Sequence, residues 1–205
     1  MGEGERLIDL ELTYIKNPDG SRKPSIPENL RLAAIEFVRT NGRQPAAQIE
    51  GIVDAGHRSI MSALDRITET QAAYKPAPDD WSVLELMAHV VSTKQIVGTL
   101  ATALAQGALP PGFGPALETQ ATQDGVTVAR FGTLAEARAA ADDAHAVMMA
   151  LVRGLDAPVN TDLQFKHYIF GAFNCREWAV FQRVHDDNHA PQVSAIKASA
   201  GFPLA

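Results

Sequence analysis

Two histidines, His185 and His189, stand one helical turn apart in the run WAVFQRVHDDNH that begins at Trp178. An α-helix turns once in about 3.6 residues, so side chains at i and i+4 project side by side. The stripe they belong to is Trp178, Phe181, His185, Asn188/His189, Gln192 and Ile196, apolar at its flanks and polar in the middle. Two imidazoles packed together in a core leave ring nitrogens without partners, which is unfavourable. A metal ion satisfies both rings at once. The pair alone also fits two surface or locally hydrogen-bonded histidines, because a lone H-x3-H arises often by chance.

A third imidazole is offered by His89, in the run WSVLELMAHVV that begins at Trp81. Ser82 and Glu85 read as a capping box: the hydroxyl takes an orphan amide of the first turn and the carboxylate reaches back to the cap. The helix so started carries Leu86, His89, Val90, Thr93, Val97 and Leu100 on one side, and His89 again interrupts an apolar stripe. Two such helices can meet across a bundle with three nitrogens around one ion. Three neutral histidines leave a fourth position open, the pattern of a catalytic rather than a structural site. Taken singly, His89 also fits a core histidine satisfied by its neighbours.

Trp81-Ser82 opening a helix with His89 near its start, Phe170-Gly171 leading into Trp178, and then His185-x3-His189-x2-Gln192 resemble the DinB-like (YfiT-like) superfamily over roughly residues 45 to 200. The resemblance implies an all-α four-helix bundle of up-down-down-up course with a long crossover between its second and third helices. It implies His89, His185 and His189 as ligands of a divalent ion, zinc first, with nickel, iron, copper or manganese also compatible with imidazole. It further implies an enzyme that transfers a low-molecular-weight thiol (bacillithiol, mycothiol or glutathione) to an electrophile such as an epoxide, an alkyl halide or an activated alkene. The alternatives are a metal-dependent hydrolase with water at the open position, and a non-catalytic dimeric scaffold pinned by the ion. Pro191, two residues past the last histidine, departs from the pattern and predicts a kink near Asp187.

Composition narrows the partners. The 205 residues carry a net charge of −6 and 46% hydrophobic side chains, enough for one domain with a proper core. That charge disfavours nucleic acid, which wants a basic face; the resemblance implies a small-molecule substrate, and a homodimer is expected, with the N-terminal hairpin packing on the bundle or on the second subunit. The acidic N-terminus lacks signal-peptide order, and the uncharged stretch after Gln95 is broken by Pro110 and Pro111 short of a membrane span. With a single cysteine, a cytoplasmic protein is expected.

The elements that must position the histidines are four predicted helices. The first runs from Ala46 to Ala73, with Ile49, Val53, Ile60, Leu64 and Ile67 on one face; the second from Ser82 to Gln106. The third and fourth begin at the capping boxes Thr133/Glu136 and Asn174/Glu177. A Pro/Gly-rich connection, 107–132, is long enough to cross the bundle, and the apolar link 156–173 should pack over one of its ends. Residues 1–44 form an extension to the 45–205 bundle. There Ile8, Leu10, Leu12 and Tyr14 alternate with polar residues up to a turn at Asn17-Pro18-Asp19-Gly20, a β-hairpin pattern, and a short amphipathic segment follows over 30–40.

The other reactive residues differ in their placement. Cys175 sits at a helix N-terminus, where the dipole favours thiolate, but about 15 Å along the helix from His185. His57 reads as a core-flanking histidine or a proton relay, His145 as a polar flank, and His167 as a loop histidine that could touch substrate. Asp186 and Asp187 could anchor an imidazole N–H, and Gln192 could lie behind a ligand or touch substrate. Lys94, Lys166 and Arg183 are the nearest cations for a thiol's carboxylates. Protons should compete with the ion near the free histidine pKa of about 6.5.

Overall fold

The computed structural model describes residues 13–16, 22–110 and 129–204. Most of them are helical. α1 spans Glu28–Gly42, α2 Ala46–Ala63, α3 Glu69–Ala73, α4 Val83–Ala105, α5 Leu134–Arg153 and α6 Cys175–Lys197. The expected capping boxes are all present: Ser82 with Glu85 starts α4, Thr133 with Glu136 starts α5, and Asn174 with Glu177 starts α6. Each satisfies two orphan amides and contributes about 1 kcal/mol. Capping therefore accounts for all three glutamates.

The first predicted helix is in fact two. α2 tightens at Leu64 and Asp65, whose amides bond back to Met61 and Ser62, and Arg66 then takes a left-handed φ of 61°. A further capping box, Thr68 with Gln71, opens α3. The apolar stripe continues across this break because Ile67 still faces the core, so periodicity alone conceals the turn.

α2, α4, α5 and α6 pack side by side, α2 and α4 each lying against both α5 and α6. Two apolar clusters fill the space between them. One holds Ile49 and Val53 of α2, Val97 to Leu104 of α4, Met148 and Val152 of α5, and Trp178 to Val184 of α6. The other holds Ile60 and Leu64, Leu86 to Val91, Leu134 to Ala144, and Ala190 to Ile196. α2 and α6 thus run from the first cluster to the second, while α4 and α5 run back. Between the clusters lies a polar layer to which every long helix contributes: His57, Lys94, His145, and residues 185 to 189. Gly56 lets α2 approach α6 at this level, since a Cβ there would lie 2.9 Å from Arg183 Cδ and 3.2 Å from its Cα.

The link after α5 is a small antiparallel hairpin rather than a loop, β3 (Phe165–His167) on β4 (Gly171–Phe173), with Phe165 opposite Phe173. Gly171, at φ +88°, supplies the left-handed residue that the tight return requires. Phe165, Phe170 and Phe173 are buried against Trp178 and Phe181, so the link packs over one end of the helices as expected. The N-terminal extension also holds a hairpin, β1 (Thr13–Lys16) on β2 (Arg22–Ser25), with Lys16 opposite Arg22. The predicted strand positions before Thr13 and the turn at Asn17–Gly20 lie outside the described residues, as does most of the 107–132 connection. α1, the amphipathic segment, lies along α6. α6 itself runs through Pro191 to Lys197 without interruption.

Candidate metal centre

α4 and α6 bring the three histidines together in the polar layer. The Nε2 atoms of His89 and His185 face each other at 3.2 Å, and one ligand atom from each of His89, His185 and His189 lies within 4.8 Å of the other two. Ring centroids are 5.1 Å apart for His89–His185, 4.9 Å for His89–His189 and 4.4 Å for His185–His189. No other group of histidine, cysteine or carboxylate side chains among the described residues converges this way. His189 is buried, whereas His89 and His185 are partly exposed. Trp81, from the residue before the cap of α4, tilts over His89 at 5.1 Å.

Electrostatics hold the rings neutral. Burial lowers the pKa of His89 to about 4 and that of His189 to about 3. His185 is pushed well below its ordinary value, by burial first and then by the neighbouring His189, His89 and Lys94. A neutral imidazole with a free lone pair is the form that binds a metal. The hydrogen bonds fit the same role. His189 Nδ1 faces Gln192 Oε1 at 3.2 Å, which places the proton on Nδ1 and leaves Nε2 free. Nδ1 of both His89 and His185 is buried without a partner. The donor set suits a borderline divalent ion.

Cys175 is fully buried, outside the cluster, and its Sγ donates to the Asn160 carbonyl oxygen at 3.3 Å. Burial raises its thiol pKa, outweighing the favourable amides of the first turn, so the thiolate expected from the helix dipole is corrected. Asp186 and Asp187 both meet basic side chains. Asp187 bonds Arg183, and Asp186 forms a fully buried ion pair with Lys94 at 2.9 Å and accepts from Gln182 Nε2 at 2.7 Å. Of the three cations nearest in sequence, Lys94 and Arg183 are therefore committed internally and Lys166 is exposed.

His57 is more than a flank. Its Nε2 bonds Asp142 at 2.9 Å, its Nδ1 lies 3.4 Å from Lys94 Nζ, and its ring stacks on His145 at 4.0 Å. His145 in turn bonds Asp54 at 3.2 Å. A polar chain thus crosses four helices from Asp142 through His57 and Lys94 to Asp186, the neighbour of His185. Sequence reasoning missed it, although Asp-x2-His occurs twice, at Asp54/His57 and Asp142/His145, one turn apart on facing helices. His167 is not a solvated loop residue. It stacks among Tyr168, Phe170, Trp178 and Phe181, accepts backbone amides at Nδ1, and is held neutral by burial, its pKa lowered to about 3.

No helix among the described residues is long and apolar enough to cross a membrane. No curated protein and no solved structure matches the chain significantly. The profile of the DinB superfamily matches residues 53–193, which takes in His89, His185, His189 and all four long helices apart from the first turns of α2 and the last residues of α6. With more than half of its length matched, the chain belongs to the DinB superfamily.

Proposed function

We propose that the protein is a divalent-metal enzyme whose ion is held by His89, His185 and His189, and that it transfers a low-molecular-weight thiol to an electrophile. The observation that carries the metal reading is the convergence of three neutral imidazoles within 4.8 Å, two of them partly exposed, in the polar layer. The helix directions support the accompanying fold, a four-helix bundle of up-down-down-up course. Zinc is the ion we favour, with nickel, iron and manganese as candidates for the same donor set.

Bound there, such an ion supplies a Lewis-acid position at which a thiol is deprotonated near neutral pH. The chain's own contribution is to keep three lone pairs available by burial and to fix the tautomer of His189 through Gln192. The apolar clusters on either side limit water around the site. Metal-assisted hydrolysis is the second reading, and the internal commitment of Lys94 and Arg183 favours it, because a thiol bearing carboxylates would want free cations near the site.

Elemental analysis of untagged protein, followed by conjugation assays with a panel of thiols, tests the proposal. About one divalent ion per chain and metal-dependent conjugation are expected. Metal-free protein that cannot be loaded would overturn the metal reading. A loaded protein that hydrolyses esters or amides but conjugates no thiol would replace transfer by hydrolysis.

A further inference from the structure

Each of the three histidines has a polar side chain one turn away on its own helix, and only one of these pairs is closed. His189 Nδ1 meets Gln192 Oε1. His89 Nδ1 is buried and unpartnered, and so is Thr93 Oγ1, four residues on. His185 Nδ1 is buried and unpartnered, and so is Gln182 Oε1, three residues before it. Side chains at these separations are neighbours on a helix. Buried polar atoms without partners are rare in a folded protein, and each calls for a reason.

Two details single these side chains out. A threonine inside a helix commonly bonds the carbonyl four residues back, and Thr99 and Thr102 of α4 do so, to Gln95 and Gly98. Thr93 does not, which leaves its hydroxyl available at the level of His89. The Gln182 amide has a fixed orientation. Asp186 accepts from its Nε2, and Asp186 is itself locked by Lys94, with both charged side chains at most 1% exposed. A carboxylate can only accept, so Oε1 is the end left free. Asn188 also has a buried unpartnered amide oxygen but no such anchor.

Without an ion, the 3.2 Å approach of the two Nε2 atoms makes one ring donate to the other, so one of the two carries its proton on Nε2. An ion needs both Nε2 lone pairs, and both protons then belong on Nδ1, where each requires an acceptor. We propose that Thr93 and Gln182 are positioning residues of the metal centre: the Thr93 hydroxyl and the Gln182 amide oxygen, the latter held by Asp186 and Lys94, accept the Nδ1 protons of His89 and His185, as Gln192 accepts that of His189. The inference rests on the metal reading above. It assigns the buried ion pair a purpose that stability does not, since a buried pair is often no more stabilising than an apolar one.

The test uses the whole chain with cobalt(II) or zinc alone as probe, comparing wild type, Thr93→Val, Thr93→Ser and Gln182→Leu. Affinity is read by competition with a chromophoric chelator, histidine tautomers by nitrogen-detected NMR, and stability from the thermal midpoint of metal-free protein. Thr93→Val should weaken metal binding by about 10–100-fold, leave the metal-free midpoint unchanged or higher, and be rescued by Thr93→Ser. Gln182→Leu should weaken binding over the same range and speed exchange of the His185 Nδ1 proton in the zinc form. Unchanged affinity in either apolar variant would overturn that residue's role while leaving the metal reading intact. A loss that Thr93→Ser fails to restore, or one that tracks a lower metal-free midpoint in Thr93→Val, would assign the side chain to the fold and overturn the inference. A wild type that binds neither metal would overturn both readings together.

Discussion

At the scale of single residues, the proposed metal site rests on three histidines that converge, and the lone cysteine lies outside that group. Replacing His89, His185 or His189 by alanine removes one of three donors, so metal content should fall to a small fraction of wild type while far-UV helicity persists. His89→Ala that keeps full occupancy would show that the ion sits elsewhere. Cys175→Ser should leave metal content unchanged, because Sγ belongs to no ligand group and bonds Asn160 instead. From sequence, that exchange costs a few tenths of a kcal/mol at a first helical turn. At a fully buried position a hydroxyl is costlier, and a loss of roughly 1 kcal/mol is expected, read as a lower denaturant midpoint. The histidine cluster was legible in the sequence because it is a local anomaly: imidazole where the period demands an apolar side chain. Burial of Cys175 was not, since the dipole argument sees only the helix that holds it and not the segment around Asn160 that covers it.

At the scale of elements, capping chemistry made the starts of α4, α5 and α6 readable to within a residue, while a continuous apolar stripe hid the break between α2 and α3. The polar layer was unreadable for a different reason. Lys94, Asp186, His57 and Asp142 come from four helices, and nothing in one stretch of sequence says that they meet. The Lys94–Asp186 pair makes a sharp prediction here. Lys94→Met leaves a carboxylate buried at zero exposure with no counter-charge, and it should cost about 3–5 kcal/mol. Adding Asp186→Leu removes that orphaned charge, so the double variant should recover most of the loss in chemical denaturation. A double variant as unstable as Lys94→Met alone would mean that the pair's packing, and not its charge, supports the junction of α4 and α6. The same double variant also frees the Gln182 amide, so it should regain stability without regaining wild-type metal affinity.

At the scale of the whole molecule, the buried imidazoles link folding to pH. Burial lowers His89 and His145 to about 4, and His167 and His189 to about 3, against an ordinary value of 6.5 for a solvated ring. Between those values the unfolded chain binds protons that the folded chain refuses, so stability rises with pH across the window. The contribution of these rings is complete above about pH 6.5 and is lost as pH falls toward the folded values. Metal-free protein should therefore lose helical signal in acid at a pH well above the range in which a solvated carboxylate titrates, about 4. An ion held by the three rings, as proposed, would change the position of this transition and not its direction. It would bind only the folded, neutral rings, and a ligand of the native state stabilises that state by mass action. Cobalt-loaded protein should unfold at a lower pH than metal-free protein, with metal release and loss of helicity coinciding. Direct proton competition near pH 6.5, expected for solvated histidines, gives way to retention near pH 5, because rings with such lowered pKa values remain largely neutral there. Parallel pH titrations followed by circular dichroism and by the cobalt absorption bands decide the matter. Release of cobalt near pH 6.5 with the fold intact would mean that the three rings are solvated when loaded, and acid transitions that coincide with and without cobalt would mean that the ion is not held by the folded layer at all.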